Sequence, residues 1–469
     1  MDKIFDFLSI KIFDVSTFKN ADVTNYLSII NTIFTVIGII MGALTLHFIV
    51  FGIVGVFKRR TFPKTEEKLR YGIIIPARNE ESVVAGLIES VRKCDYPQDK
   101  LDVFVIAHNC TDRTAEVARA TGGAYVYEYN NPEECTMGYA FRHLFQRIEE
   151  DYGISNYDGF FLFNADNILD KQFFDKMNDA FVACDRKCVI TSFRNSKNFG
   201  HNIMSAMYGL YFAYGCRFES RGRAVLGCST RVQGTGYVVS SEVVKDGWQY
   251  VTLTEDWEFT ADQIIQGNKI VYCDEAMFYD EQPTDVHIMW RQRVRWAKGH
   301  LLVCVSRLKD LLKSLFTSKK KGGGKHKFSL FDITVNILPV CVISTFTLIL
   351  RYILYALAPM FGAPWYELFL TILREILPGV AFSYLLLVLA SCVLFFTERK
   401  RFPKMSFKVK LGATLIWPVF LFVSFPAEIY ALFKKNVGWK PIPHSDTTKF
   451  SEVNQENSAE CQEEINQIK

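Results

Sequence analysis

The sequence predicts an α/β domain, a doubly wound and mostly parallel sheet, inserted between transmembrane α-helices. Three observations carry that expectation. Residues 70–185 alternate short apolar, strand-like runs with amphipathic helical stretches, the pattern of a sheet wound from strand–helix units. Further stretches are apolar over lengths that suit a bilayer, in a chain of 469 residues that is 49% hydrophobic and holds 40 Phe. Positive clusters stand directly beside those apolar runs. Bulk charge says less: 54 basic against 50 acidic residues leave +4, too little to argue for nucleic acid. The 12 Cys lack CxxC spacing, and no His cluster completes a zinc site around Cys184 and Cys188, so reduced thiols are expected. No cleavable signal peptide is expected, because the first apolar segment starts late.

In chain order, residues 1–60 hold a surface segment and a first span over 26–57, longer than the ~20 residues needed to cross. Lys58-Arg59-Arg60 follows at once and places that end in the cytoplasm. Residues 61–300 form the catalytic α/β domain. Strands are expected at 71–76, 101–107, 124–129 and 159–163, with helices at 80–93, 111–120 and 138–150. Polar groups cluster at the strand ends: Arg78-Asn79-Glu80, residues 108–112, and Asn164-Ala165-Asp166-Asn167. Ligands of such sheets bind beyond the carboxyl ends of the strands, and this arrangement suits a nucleotide sugar.

Residues 290–327 read as an interfacial amphipathic helix and a basic, glycine-rich linker. Residues 328–433 hold C-terminal spans at 328–361, 374–396 and 411–433. Residues 434–469 read as a polar tail, disordered at least from 445. One N-terminal and three C-terminal spans leave the side of the tail open, since Lys434 and Lys435 also look like a cytoplasmic edge.

The chemistry concentrates between Thr254 and Trp296. Thr254-Glu255-Asp256 opens a helical stretch, and a helix cap with acidic first-turn residues is the simplest reading of it. Gln292-Arg293-Val294-Arg295-Trp296 follows, which by itself suits a basic helix at a membrane. Together with the acidic group at 164–167, these residues resemble the processive family 2 glycosyltransferases, which include cellulose, hyaluronan and poly-N-acetylglucosamine synthases. The resemblance covers most of 71–299, and the family's QxxRW signature reads here as Gln292, Arg295 and Trp296.

The resemblance implies a GT-A-type domain and an inverting transfer from a UDP-linked sugar. Asp256, beside Glu255, is the candidate base that takes the acceptor's hydroxyl proton. Arg295 meets the diphosphate, Trp296 lies under the acceptor sugar, and Gln292 and Thr254 belong to the same acceptor and diphosphate side. Pro76 and Glu80 line the nucleoside, although Glu80 also reads as a solvated first-turn residue. Asp112 meets the base, a role compatible with capping the next helix. The family's Asp-x-Asp is Asn164-Ala165-Asp166 here, so a divalent ion, Mn or Mg, rests on Asp166, and Asn164 is left to bond a ribose or sugar. Met137 stands where many relatives carry a basic residue. The loop Gln233-Gly234-Thr235-Gly236 reads as an acceptor-side loop or a plain turn, and Asp280 and Glu281 read as loop residues, with active-site carboxylates as the alternative.

The expected product is a growing polysaccharide made at the cytoplasmic face of the cell membrane by a multi-pass protein. Export subunits are possible partners. Transfer of one sugar to a membrane lipid is the alternative, and an inactive scaffold a third reading.

Overall fold

A computed structural model describes residues 21–317, 323–435, 437–438, 441–444 and 446–454. The helices are α1 (Ala21–Phe57), α2 (Val84–Lys93), α3 (Thr114–Thr121), α4 (Met137–Asp151), α5 (Phe173–Val182), α6 (Ile203–Tyr214), α7 (Glu255–Gln266), α8 (Val286–Thr317), α9 (Gly323–Ile337), α10 (Val340–Ala356), α11 (Trp365–Thr397), α12 (Phe407–Phe422) and α13 (Ser424–Phe433). The strands are β1 (Tyr71–Ala77), β2 (Leu101–His108), β3 (Tyr125–Tyr129), β4 (Gly159–Leu162), β5 (Ile168–Leu169), β6 (Val189–Ser196), β7 (Tyr237–Ser240) and β8 (Ile270–Asp280).

These strands form one sheet in the order β3-β2-β1-β4-β7-β6-β8-β5. β1, β2, β3 and β4 run parallel, as does the β6–β8 pair, while β7 and β5 are antiparallel to their neighbours. The mixed, mostly parallel sheet agrees with the expected fold class. The central strands β1 and β4 are mostly apolar because both faces are covered. Tyr71, Ile73 and Ile75 enter one core, with Val103, Val105 and Phe161. Ile74 enters the other, with Phe104, Ile106, Phe160 and Leu162. The alternation is the period-two geometry of a strand.

The chain divides into two compact units, residues 50–338 with 391–469, and residues 1–49 with 339–390. In the smaller unit, Val23, Leu27, Ile30 and Phe34 of α1 pack with Tyr355 and Leu368. Arg351 pairs there with Glu375 at 2.5 Å and donates to Asn31 at 3.2 Å, which satisfies charges inside apolar helices.

Among the described residues, four segments are long and apolar enough to cross a membrane: Asp22–Phe57, Val342–Phe361, Trp365–Thr397 and Phe407–Phe433. The expected span at 328–361 is corrected, because Pro339 separates two helices. The first of them, α9, buries Leu330, Ile333 and Ile337 in the domain's second core. Its Asp332 accepts from Arg223 Nε at 2.7 Å. The helix read as interfacial, α8, also turns Val294, Val303 and Leu311 inward. Residues 1–20 and 318–322 lie outside the described residues, and so do most of the surface segment and the first part of the basic linker, whose remainder, 323–327, opens α9 instead of forming a loop. Part of the tail read as disordered is seated on the domain: Asn454 Oδ1 accepts from the Lys171 amide at 2.8 Å, and Phe450 packs against the first core.

A buried ion network fastens the larger unit. Asp274 of β8 accepts from Arg221 Nη2 at 2.7 Å and from Arg401 Nη2 at 2.9 Å. Glu398, just past α11, accepts from Arg217 Nη1 at 2.5 Å. Arg217 Nη2 also donates to the Val56 carbonyl near the end of α1 at 2.6 Å. Removing Asp274 strands two buried guanidiniums. Asp274→Ala is expected to cost about 3–5 kcal/mol, read as a large fall in the melting midpoint of the detergent-solubilised protein. Glu89→Ala breaks the exposed Lys93–Glu89 pair and is expected to change stability by less than about 1 kcal/mol.

Candidate active site

The carboxyl ends of β1, β4 and β8 open on one cavity of about 150 Å³. Pro76 lies near the end of β1, and Arg78 and Glu80 follow it. After β4 come Asn164 and Asp166. Arg194 projects from β6, and Asp280 and Glu281 stand at the end of β8. Glu255 is the first residue of α7, while Gln292 and Arg295 come from α8. The helix presents those two on one side because they are three residues apart.

Close packing of α7 and α8 brings the two motifs together. A Cβ on Gly299 would lie 2.6 Å from Thr254 Oγ1, so α8 crosses at glycine. Arg295 Nη1 donates to the Leu253 carbonyl at 3.0 Å, just ahead of α7. Asp256 Oδ1 accepts from the Trp257 amide at 2.9 Å, and its other oxygen faces the loop at Gly234. Gly234 and Gly236 both have positive φ, at 79° and 69°, which explains the glycines of the Gln233–Gly236 loop.

Seven of the eleven site residues expected from sequence line this cavity: Pro76, Glu80, Asn164, Asp166, Glu255, Gln292 and Arg295. Asp256 lies beside it. Thr254 is buried under Gly299. Asp112 caps α3, its Oδ1 accepting from the Thr114 amide at 3.0 Å. Trp296 packs among the aromatics of α6, stacked on Tyr211 with centroids 6.2 Å apart and edge-on to Tyr208 and Phe212.

Sequence pattern alone passes over several lining residues. Asp280 and Glu281, read as loop residues, line the cavity. Asp280 is clasped by Arg194 Nε at 2.6 Å, and Arg194 stacks over Phe212 at 3.6 Å. Burial pushes the Asp280 carboxyl up to about 6 despite Arg194. The C-terminal segment adds His444, whose Nδ1 meets Glu80 Oε2 at 2.9 Å. Burial pulls the His444 imidazolium down, but Asp166 and the Glu80 hydrogen bond outweigh it and hold it up at about 9. No local pattern marks His444; only the fold carries it back over more than 360 residues to Glu80.

The lining is rich in carboxylates, with Glu80, Asp166, Glu255, Asp280 and Glu281 in one cavity. That donor set suits a hard divalent ion. Among the described residues no three His, Cys, Asp or Glu already converge as ligands. Asp166 accepts from the Glu281 amide at 2.7 Å and from Asn167 Nδ2 at 3.2 Å, so it is held in place on the cavity wall. An ion bridging Asp166 and a diphosphate needs few protein ligands, and these residues fit one.

Burial raises the carboxyl groups of Glu255 and Asp256 above the ordinary range. Asp256 pushes Glu255 further, and Arg295 draws both back. A raised folded-state value contributes stability below the unfolded value, and that contribution is lost as pH rises through the folded one. Glu255→Gln keeps the shape without the charge. Its melting midpoint is therefore expected above that of the parent at about pH 8.5, the gap narrowing toward pH ~4.3, the ordinary glutamate value. A lower midpoint in the variant at high pH would show that the carboxylate stabilises the fold.

Residues 69–299 match the family described as "Glycosyltransferase like family 2". The probable glycosyltransferase YdaM of Bacillus subtilis (strain 168) is 24% identical over 54% of this chain and 61% of its own length. A poly-beta-1,6-N-acetyl-D-glucosamine synthase of Staphylococcus epidermidis is 22% identical over 52% and 58%. The beta-monoglucosyldiacylglycerol synthase of Synechocystis sp. is 22% identical over 48% and 47%. The chain thus spans about half to three-fifths of the length of these relatives. A mannosyltransferase of Pyrobaculum calidifontis superposes with a TM-score of 0.53 at 14% identity, covering 87% of this chain and 100% of that one, which is a likeness of fold. The matched segment coincides with the sheet, its strand-end cavity and the two motifs that meet at Gly299, and residues 69–299 are a glycosyltransferase family 2 domain.

Proposed function

We propose that the chain is an inverting glycosyltransferase that moves a sugar from a nucleotide sugar to a hydroxyl group presented at the membrane. One observation carries the reading: Asp166, the Glu255–Asp256 pair and Arg295 gather about one cavity at the strand ends. Asp256 takes the proton from the acceptor hydroxyl. The hydroxyl oxygen forms the new bond at the anomeric carbon while the bond to the diphosphate breaks. Arg295, buried and flanked by both carboxylates, faces the charge that develops on the diphosphate. The Trp257 amide holds the Asp256 carboxylate in orientation.

A divalent ion, Mn or Mg, would be held by Asp166 and would supply positive charge to the diphosphate. The mannosyltransferase of similar fold is described in complex with GDP-Man and Mn2+, which supports a donor and an ion of this kind. The donor we assign here is UDP-linked, on the family resemblance at Pro76, Glu80 and Asp112. Lys58-Arg59-Arg60, directly after α1, supports a cytoplasmic catalytic domain. A growing polysaccharide is the second reading of the acceptor, favoured by Gln292, Arg295 and Trp296 and by the named product of the Staphylococcus epidermidis relative.

Asp256→Asn preserves shape and removes basicity. Turnover of nucleotide sugar by purified protein in native lipid is expected to fall by about 10²–10⁴, with UDP binding retained. Asp166→Ala is expected to lose the Mn-dependent part of UDP binding, measured by titration calorimetry with and without chelator. Near-normal turnover in Asp256→Asn would remove that residue from the chemistry, and undiminished metal-dependent binding in Asp166→Ala would move the ion elsewhere.

A further inference from the structure

A second cavity, of about 220 Å³, adjoins the first. The two share Gln292, Arg295 and Ile442 as a common wall. The second lies between α8 and α13, and α13 ends a membrane-length segment at Phe433, one residue before Lys434. It therefore stands where that segment meets water. Its floor is apolar, with Ile288 and Val294 on α8. Trp290 and Tyr430 pack together in its lining with ring centroids 6.0 Å apart. Two exposed cations, Arg291 and Lys434, belong to the same lining, and Lys434 Nζ lies 5.3 Å from the Tyr430 ring centre.

The contrast in charge separates the two cavities. Five carboxylates line the first, set among Arg78, Arg194, Arg295 and His444. Among the described residues the lining of the second includes no Asp or Glu. It can take an anionic group directly. A basic rim with interfacial aromatics over an apolar floor suits the head and upper chain of a lipid. The shared wall adds a polar contact: Gln292 Oε1 is buried with no hydrogen-bond partner among the described residues. A hydroxyl entering from the second cavity satisfies that atom.

We infer that the second cavity holds the acceptor, a membrane lipid whose phosphate lies between Arg291 and Lys434 and whose hydroxyl, beyond the phosphate, reaches Gln292 and the first cavity. This rests on the transfer reading and names its acceptor class. The lipid phosphate is unchanged in the step. The hydroxyl oxygen bonds to the anomeric carbon, its proton passes to Asp256, and the nucleoside diphosphate leaves with the electron pair of the broken bond. General attraction of anionic lipid to the rest of a basic membrane edge is the simpler account, and it gives no preference that depends on these two side chains.

Three lipids with the same acyl chains separate the terms: dioleoylglycerol has a hydroxyl and no phosphate, dioleoylphosphatidic acid a phosphate and no free hydroxyl, and dioleoylphosphatidylglycerol both. Binding of each to the full chain is measured in neutral detergent. The two phosphate lipids are expected to bind roughly thirtyfold more tightly than dioleoylglycerol, and Arg291→Gln with Lys434→Gln is expected to abolish that preference. Equal binding of all three lipids, or an undiminished preference in the double variant, would overturn the assignment. The thermal midpoint of the double variant controls for folding, and if it falls, Lys434→Gln alone, at an exposed site, is read in the same way. Metal-dependent UDP binding, followed in the same wild-type preparation, reports separately on the donor site, so its loss would count against the transfer reading and not against the lipid cavity.

Discussion

The larger unit depends on the cluster in which Asp274 and Glu398 meet Arg217, Arg221 and Arg401. Four parts of the chain end there: the last turn of α1, the turn after α6, strand β8 and the segment following α11. Charges buried this deeply persist only because each is answered by several partners. β8 leaves the cluster at Asp274 and reaches the cavity six residues later, at Asp280. The positions of Asp280 and Glu281, and through the Glu281 amide that of Asp166, thus follow from an ion network outside the cavity.

The first four strands and the strand-end location of the site were legible because they depend on local pattern. Ile73 to Ile75 read as a buried strand whichever partner they meet. The split of residues 328–361 was hidden, because a helix buried in a protein core and one buried in lipid have similar compositions. Leu330 and Ile333 look alike in either setting, and the partner that decides, Arg223, is about a hundred residues away. Arg194 and His444 escaped for a related reason: neither belongs to a local motif, and each reaches the cavity through tertiary packing. Trp296 shows the reverse case. Its place in the signature suggested a sugar platform, yet Tyr208, Tyr211 and Phe212 surround it.

Electrostatics divides the labour between neighbouring spaces. The first cavity mixes carboxylates with Arg78, Arg194, Arg295 and His444, and in the proposed reading an ion at Asp166 would accompany the diphosphate there. The adjoining space has cations and no carboxylate among its described lining. Gln292 and Arg295 on the wall between them touch both, and a single helix, α8, thereby sets the spacing of two sites.

His444 lines the cavity against Glu80, just after β1. The two lie at nearly opposite ends of the domain's sequence, with three of the four membrane-length helices between them in chain order. On the ribosome, the sheet and both motifs leave the exit tunnel long before His444 does. The cavity lacks a wall throughout that interval, and it becomes whole only after the intervening apolar helices have been handed to the membrane. Completion of the cavity and synthesis of the apolar helices are therefore ordered in time.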